Sequence, residues 1–370
     1  MEDKLSKNAD YPDNLKIVRD LDKQQWREFV ENHHQGQIFH TPEMFDVFSL
    51  AGGHQPDLWA AVESDGKILT LFLPVQITLM NKWLRHFSLL TTRAVSYGNA
   101  LCDAGGKGLW ALDLLLKRYV ELVDRKLLFT EFRNLSSTEN TQTTLINHGF
   151  EYEEHMNYLI DLKRSPEDIL KSISQRTRKY IKSGLRQGLV KIVEATTPEQ
   201  VAICYELLQK TYRAAYVPLA DRSLFDAAYR LLYPKQMIRF TLAYVGQNPV
   251  ATSVDLLYKD VMYGWYGGLD RTYSRYMPNE LLTWHILEWG AQNGFSVFDF
   301  GGAGRPGEDY GVRDFKAKFN GQTVNYGRNI CIHAPNRLKL SKAVYFLARR
   351  IMSFRIRRPG YKDKALAQPE

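Results

Sequence analysis

The feature of this 370-residue chain that most constrains its fold is an order of predicted elements that occurs twice. In the second half, a strand at 189–193 precedes two helices, a three-strand meander, a helix that begins at Pro278, the strand VFDFGG, a short helix and a last strand. The first half follows the same plan, from a strand at 15–19 through a helix capped by Asp22 to a hairpin around Asp65-Gly66. The repeated order predicts a mixed α/β fold with two similar subdomains.

The repeat divides the chain into four parts. We expect a first subdomain at 1–162, a basic interdomain helix at 163–188 and a second subdomain with the VFDFGG strand at 189–334. Residues 335–370 follow as a basic amphipathic C-terminal segment. The length suits two domains better than one, and a hydrophobic content of 44% can build sizeable cores.

The charge balance and the cysteines limit the classes of partner and site. Lys and Arg outnumber Asp and Glu by 49 to 41, an excess that favours anionic partners such as phosphates, RNA or a membrane surface. An ordinary basic soluble protein would show the same excess. Three widely spaced cysteines without a CxxC motif predict neither a disulfide framework nor a metal site.

Neither the N-terminus nor any apolar run indicates membrane insertion. The first 14 residues are polar and charged, without the apolar core of a signal peptide. The most apolar run, at 68–80, is too short and too polar to span a bilayer. We therefore expect a soluble cytoplasmic protein that is at most peripherally bound to a membrane.

Two segments combine basic and apolar residues at helical spacing. Between the halves, the basic residues fit either the solvated face of an interdomain helix or a phosphate-contacting surface for RNA or a nucleotide-linked substrate. At the C-terminus, they fit either docking on the protein's own surface or contact with an anionic membrane. The basic residues are Lys171, Arg176, Arg178, Lys179, Lys182 and Arg186 in the first segment, and Arg337, Lys339, Lys342, Arg349, Arg350, Arg355, Arg357 and Arg358 in the second.

Several common site motifs are absent from the sequence. The stretch Gly301-Gly302-Ala303-Gly304 is neither a GxGxxG dinucleotide loop nor a P-loop, because no long helix and no GK[ST] follows it. GxSxG and HExxH motifs do not occur, so a hydrolase is not expected. His33-His34 lacks a carboxylate at the spacing of a metal site, and we expect no bound metal.

Four stretches, in a fixed order, carry a resemblance to a known family. They read QRTRKYIKSGLRQGLV, YELLQKTYRAAYVPLADRSLFDAAYRLL, YSRYMPNELLTWHILEWGAQNGFSVFDFGG and GVRDFKAKFNG. Together they resemble the Fem-type branch of the GNAT N-acyltransferase superfamily, most clearly over 173–328. The peptidoglycan members of that branch have two GNAT-like subdomains and transfer an amino acid from aminoacyl-tRNA to an amine of a cell-wall precursor. The resemblance implies an N-acyltransferase that acts on an amine of a cell-wall or polysaccharide precursor.

Two departures from the family pattern leave the donor open. No long heptad stretch matches the helical arm of several peptidoglycan enzymes, and Tyr216-Val217-Pro218-Leu219 replaces an acidic run. The second departure is closer to relatives associated with exopolysaccharide and sugar acylation. The donor is therefore aminoacyl-tRNA or acyl-CoA, with no permanently bound cofactor. The alternatives are an acyl-CoA-dependent N-acyltransferase of sugar or exopolysaccharide biosynthesis, and a non-catalytic GNAT-like module that binds RNA or a lipid-linked glycan.

The chemistry of acyl transfer to an amine selects candidate catalytic residues. It requires a neutral amine, a stabilised oxyanion and an acid for the leaving group. The resemblance assigns Lys316 to the oxyanion or to the donor phosphates and places Phe315 beside the donor; a surface lysine on a short helix is the alternative. Asp299, within an apolar strand, either orients the substrate amine or accepts hydrogen bonds from the Gly301-Gly302 backbone. Tyr310 and Tyr326 are further candidate acids.

Seven more residues are candidates for substrate binding, of which Gly301 and Gly302, at the end of the VFDFGG strand, are assigned to the donor by the resemblance. Arg271 and Arg275 precede the helix that begins at Pro278, at the place where acetyl-CoA-dependent GNAT proteins have a glycine-rich pyrophosphate loop. The free N–H groups of a helix N-terminus can bind phosphate, although the missing glycines argue against ordinary acetyl-CoA chemistry. The residues that match the part of the family pattern facing a sugar-phosphate acceptor are Arg213, Tyr216 and Arg222.

Overall fold

Both halves of the chain form strands and helices in the predicted alternation. The structure, a computed structural model, describes residues 15–78, 85–103, 105–123 and 127–356. The N-terminal 14 residues, the end of the apolar run at 79–80 and residues 357–370 of the C-terminal segment, with Arg357 and Arg358, lie outside the described residues. The first half contains β1 (Lys16–Val18), α1 (Lys23–Asn32), α2 (Pro42–Leu50), β2 (His54–Pro56), β3 (Trp59–Val62), β4 (Ile68–Phe72), β5 (Val75–Ile77), β6 (Arg93–Tyr97), β7 (Leu101–Cys102), α3 (Gly106–Leu122), β8 (Phe129–Arg133), α4 (Gln142–Asn147), β9 (Glu151–Glu153) and β10 (Met156–Asp161).

The second half repeats this order after two connecting helices. Its elements are α5 (Pro166–Ser172), α6 (Gln175–Gln187), β11 (Val190–Glu194), α7 (Pro198–Ala215), α8 (Arg222–Leu232), β12 (Ile238–Val245), β13 (Asn248–Tyr258), β14 (Val261–Leu269), α9 (Pro278–Gln292), β15 (Val297–Gly302), α10 (Gly311–Ala317), β16 (Gln322–Asn325), β17 (Arg328–Ile332) and α11 (Pro335–Ile356). None of the described helices combines the length and the apolar composition needed to cross a bilayer.

A seven-stranded sheet organises the second half. Its strand order is β11-β12-β13-β14-β15-β10-β16. Neighbouring strands are antiparallel except for β14 and β15, which run parallel. Helices α7 and α8 build one apolar cluster on this sheet, with Leu208 and Phe225 against Leu256, while α9 builds another, with Leu282 against Phe298. The burial of these side chains fixes the helices on the sheet.

The first half has the equivalent strand order, but its strands are divided between two sheets. Strands β3, β4 and β7 lie in a four-stranded sheet with β1, and β2, β5 and β6 lie in a six-stranded sheet with β8, β17 and β9. β2 and β3, β4 and β5, and β6 and β7 are each consecutive in the chain but lie in different sheets. Each of these three pairs is therefore one extended segment that passes from one sheet to the other. Pro74 follows β4 and provides no N–H for a ladder, which explains one of these breaks. The predicted mixed α/β fold with two similar subdomains is confirmed.

The two halves exchange one strand each. β10 ends the first half but lies between β15 and β16 of the second sheet. β17 ends the second half but lies between β8 and β9 of the first. The division of the chain at 162 and 334 therefore differs from the division into sheets. Because each subdomain is completed by a strand of the other, the halves cannot separate without breaking four backbone ladders, two for each exchanged strand.

The interdomain segment differs from the single predicted helix. Helix α5 ends at Ser172, and the chain turns before α6, where the Ser174 N–H donates to the Lys318 carbonyl at 3.0 Å. Both helices pack on α9. A Cβ on Gly184 would lie 2.7 Å from Leu281 Cδ1, so glycine allows the close approach of α6 to α9. Because Thr177, Ile181 and Gly184 form the side of α6 that faces the core and α9, the basic residues Arg178, Lys179, Lys182 and Arg186 lie on the side that faces away from α9.

Candidate active site

The candidate site opens where β14 and β15 separate. The two strands pair in parallel over three positions only, ending at the pair of Tyr263 with Asp299. Beyond it, β14 stays with β13 and β15 stays with β10. Val254 pairs with Tyr266 whereas Asp255 pairs with Gly264, so β14 carries an extra residue at this point, and such a bulge bends a strand. Past the close approach of Gly264 to Gly301, no ladder joins the two strands, and we call this point of separation the opening.

Asp299 lies at the start of this opening. Its side chain is buried, and its Oδ1 accepts hydrogen bonds from Asn157 Nδ2 at 2.6 Å and from the Gly301 N–H at 2.7 Å. Burial raises the pKa of the Asp299 carboxyl, while the two hydrogen bonds and the positive charge of Lys316 act in the opposite direction. Of the two interpretations of Asp299, hydrogen bonding to the Gly301 backbone is therefore present in the structure.

Gly301 turns the chain at the end of the strand. Its φ of 71° lies in the left-handed region that favours glycine. A Cβ at this position would also lie 3.3 Å from the Gly264 carbonyl oxygen and 3.3 Å from the Tyr263 hydroxyl oxygen. Glycine thus permits both the turn and the close approach of β14.

Lys316 lies underneath this turn and is buried rather than on the surface. Its Nζ donates to the Gly301 carbonyl at 3.1 Å and to the Gly302 carbonyl. The ammonium group therefore joins α10 to the end of β15. Its charge also acts on Asp299. The structure brings together four predicted residues, Lys316, Asp299, Gly301 and Gly302.

Arg313 holds the loop that follows β15. Its guanidinium donates to the Ala303 carbonyl at 2.8 Å, to the Glu308 carbonyl at 2.9 Å and to the Arg305 carbonyl. One side chain thereby fixes both ends of the loop between β15 and α10. Sequence analysis missed Asn157, which belongs to no recognisable motif, and gave no role to Arg313, although it lies within the GVRDFKAKFNG stretch. The only available signal was the position of Arg313 two residues before Phe315.

Aromatic side chains from both halves line the neighbourhood of the opening. Phe39, from the first half, contacts Tyr97 at a ring-centroid distance of 5.1 Å and Tyr263 edge-on at 5.3 Å. Burial and the charge of Asp299 raise the pKa of Tyr326. Tyr310 follows the loop and begins α10. Tyr326 is thus the candidate acid with an electrostatic link to Asp299.

The donor-binding candidates lie around the start of α9. Arg271 and Arg275 are exposed on a 3₁₀ helix, Arg271–Tyr276, that leads into α9. The Arg275 guanidinium donates to the Tyr276 hydroxyl at 2.7 Å and lies 4.7 Å from the centroid of that ring. Phe315 lies elsewhere, with its ring edge-on to Phe319 at 5.4 Å, within the apolar cluster below α9.

The acceptor-binding candidates share the connection between α7 and α8. Arg213 is exposed in the last turn of α7, and Tyr216 ends that helix with a φ of 56°. Arg222 begins α8 and forms a 3.3 Å ion pair with Asp226. The structure brings these three residues together at one edge of the second subdomain. Helix α7 also packs on β14, where the Thr211 hydroxyl accepts a hydrogen bond from the Leu269 N–H at 2.7 Å.

The described residues offer neither a metal site nor a thiolate nucleophile. No group of three or more His, Cys, Asp or Glu side chains is placed to hold a metal ion within the described ranges. Burial raises the pKa of Cys102 and Cys204 to about 12 and that of Cys331 to about 11. These thiols are protonated at neutral pH, so none of them is suited to form a thioester intermediate.

The equivalent position of the first half is closed by an ion-pair cluster. There, β6 pairs in parallel with β8, and Glu131 occupies the place of Asp299. Glu131 binds Arg328 at 2.7 Å and Arg133 at 3.2 Å, and these arginines hold its pKa at about 2. Arg133 takes the place of Gly301. The first half therefore lacks the glycine turn, and its acid is an ionised carboxylate paired with two arginines.

Comparison with known proteins gives a domain match in the second half of the chain and a fold for most of it. The family model for the acetyltransferase (GNAT) domain matches residues 171–316. Among solved structures, FemX superposes with a TM-score of 0.65 at 14% identity, covering 90% of this chain and 99% of FemX. A tandem GNAT protein from the clavulanic acid biosynthesis pathway gives 0.52 at 10% identity, covering 87% and 99%.

A third structural relative is the C-terminal domain of a putative lysylphosphatidylglycerol synthetase from Agrobacterium fabrum. Its TM-score is 0.54 at 12% identity, over 87% of this chain and 95% of that one. No curated protein sequence matches significantly. At these low identities the superpositions show a shared fold and nothing finer. The match to the GNAT domain lies in the second half, which carries the opening. Residues 171–316 therefore carry the features of an acetyltransferase (GNAT) domain, and the chain shares its fold with FemX and with a tandem GNAT protein, as the predicted two-subdomain GNAT-like architecture requires.

Proposed function

We propose that this protein transfers an aminoacyl or acyl group from a nucleotide-linked donor to the amine of a cell-wall or polysaccharide precursor. The observation that carries the proposal is the opening between β14 and β15, with Asp299 and Lys316 joined through the Gly301-Gly302 turn. A buried carboxylate can accept the proton of the amine and a buried cation can stabilise the oxyanion, and these are two of the requirements of amine acylation.

In the proposed reaction, the amine nitrogen bonds to the donor carbonyl carbon, and the bond from that carbon to the leaving oxygen or sulfur then breaks. Asp299 Oδ1 is engaged by Asn157 and Gly301, so we assign Oδ2 to the substrate amine, whose proton it accepts. The raised pKa of this carboxyl suits a proton acceptor. The Lys316 ammonium stabilises the oxyanion electrostatically and holds the carbonyls of the turn. Tyr326 is the proposed acid for the leaving group.

Two surfaces support a phosphate-bearing donor. The first is the start of α9, where Arg271 and Arg275 accompany the first-turn N–H groups. The second is the basic outer surface of α6, a helix that packs on α9 through Gly184. The side chains that form this surface are Gln175, Arg178, Lys179, Lys182, Leu185 and Arg186. A donor with an extended phosphate backbone, such as aminoacyl-tRNA, would use both surfaces, whereas acyl-CoA would need only the first.

Donor and acceptor panels test this proposal. The purified chain is incubated with acetyl-CoA or with a mixture of aminoacyl-tRNAs, each with a nucleotide-linked amino sugar or a muramyl-peptide precursor. Mass spectrometry of the acceptor should show an acyl or aminoacyl increment on its amine with one donor class. Asp299→Asn should abolish it, whereas Asp314→Asn, an exposed acid on α10, should not. Donor binding without transfer or hydrolysis would instead favour the non-catalytic binding module.

A further inference from the structure

The C-terminal helix α11 docks on the protein through one face only. On that face, Leu338 is buried and the Ser341 hydroxyl donates to the Leu90 carbonyl at 2.6 Å. One turn further, the Tyr345 hydroxyl donates to the Tyr216 carbonyl at 3.2 Å. The helix thus contacts the first subdomain and the α7–α8 connection of the second.

The opposite face of α11 presents apolar side chains that no described residue covers. Leu340, Val344 and Leu347 follow one another at helical spacing and are 53%, 49% and 58% exposed. Phe346, about 100° around the helix from Leu347, is 67% exposed. Four large apolar side chains exposed within eight residues form an unusual surface for a soluble domain. We call the row of Leu340, Val344 and Leu347 the outer face of α11.

The charge around the outer face selects its partner. The sequence from 337 to 358 contains eight Lys and Arg residues and no Asp or Glu. A second copy of this chain would bring equal positive charge to the same place, and like charges oppose that pairing. RNA would match the charge but would leave the apolar side chains in water. An anionic lipid surface matches both properties, because it accepts apolar side chains at the acyl boundary and cations at the headgroups.

We propose that the outer face of α11 inserts into the interfacial layer of an anionic phospholipid membrane. The hydrogen bond from Tyr345 to Tyr216 joins this helix to the α7–α8 connection, where the acceptor-binding candidates lie. Membrane binding would therefore present that connection to the lipid surface. This consequence, unlike the membrane contact itself, rests on the proposed function.

Vesicle flotation of the full chain tests the membrane contact. The vesicles are pure phosphatidylcholine, or phosphatidylcholine with about 30% phosphatidylglycerol. We expect binding to the anionic vesicles that weakens strongly at high salt, because exposed charges are screened. The variant Leu340→Ser/Val344→Ser/Leu347→Ser should bind at least about tenfold more weakly, since three apolar contacts are lost. The matched control Trp110→Ser/Leu122→Ser removes exposed apolar residues of α3 and should bind like the wild type.

The remaining outcomes separate the possible explanations. Circular dichroism and light scattering of each variant establish its folding and its oligomeric state. The membrane contact is overturned if the wild type ignores anionic vesicles, if the triple variant binds as well as the control, or if a dimer is lost with the triple substitution. Transfer to a water-soluble amine acceptor should be equal in the triple variant and the wild type. Vesicle binding without any transfer would contradict the proposed function and leave the membrane contact standing.

Discussion

Asn157 donates a hydrogen bond to Asp299 at 2.6 Å, and the two residues belong to strands from different halves of the chain. Asn157 lies on β10, the strand that the first half contributes to the second sheet. The carboxylate at the candidate site is therefore held by a residue that reaches it only through the strand exchange. The exchange links the integrity of both subdomains to the geometry of one site.

Asn157→Ala should shift the pH dependence of transfer. The hydrogen bond from Asn157 lowers the pKa of Asp299, so its removal raises that pKa further. If Asp299 must be ionised to accept a proton, the acidic limb of the kcat/KM profile should move upward by about one pH unit. Asn325→Ala, on the neighbouring strand β16, is the matched control. An unchanged acidic limb in Asn157→Ala would remove Asp299 from the proton-transfer step.

Lys316→Ala should lower kcat by about two orders of magnitude, the range for loss of an oxyanion-stabilising group. The physical reason is the loss of a buried cation together with its hydrogen bonds to the Gly301 and Gly302 carbonyls. Single-turnover kinetics with saturating donor measure the effect. Lys318→Ala removes a half-buried lysine from the same segment, paired with Glu280, and should be nearly neutral for kcat. Equal kcat values for the two variants would refute the role of Lys316.

Arg313→Ala should release the loop between β15 and α10. The guanidinium bonds three carbonyls of that loop, at Ala303, Arg305 and Glu308. Hydrogen exchange of peptides covering 303–310 should accelerate, and kcat should fall while global unfolding changes little. Arg305→Ala removes an exposed arginine of the same loop that pairs with Glu153 and serves as control. A loop protected equally in both variants would show that Arg313 does not order it.

Asp255 should make the protein less stable as the pH rises. It is fully buried, its Oδ2 makes no hydrogen bond within the described residues, and burial raises its pKa from 3.8 to about 7. In the unfolded chain Asp255 loses its proton near 3.8, but in the folded chain only near 7. The unfolded state binds fewer protons between these values, so the free energy of unfolding declines as the pH rises from 3.8 to about 7.

Asp255→Asn should abolish that decline. The variant should exceed the wild type in unfolding free energy at pH 8 by an amount on the order of a few kcal/mol, with little difference at acidic pH. Urea titrations at several pH values measure both effects. Asp46→Asn, at an exposed position of α2 paired with Lys23, is the control. A wild-type stability that is constant from pH 4 to pH 8 would contradict the shifted pKa.

The order of the elements and many of their ends could be predicted from the sequence because they depend on local interactions. Thr197 caps α7 by accepting a hydrogen bond from the Gln200 N–H. Pro278 occupies the first turn of α9, where the fixed φ of proline suits the helix. The residues of VFDFGG likewise form β15 and its turn. Lys316 was also accessible, because it stands in a recognisable Phe-Lys segment.

Tertiary structure alone decided the features that depend on distant partners. The sequence of β10 carries no sign that its partners are β15 and β16 rather than strands of its own half, because strand pairing joins residues more than a hundred positions apart. For the same reason, Asn157 could not be assigned to the site. The break between α5 and α6 at Ser174 likewise depends on a distant carbonyl, that of Lys318. Local sequence determined which elements form, and long-range packing determined which residues meet at the site.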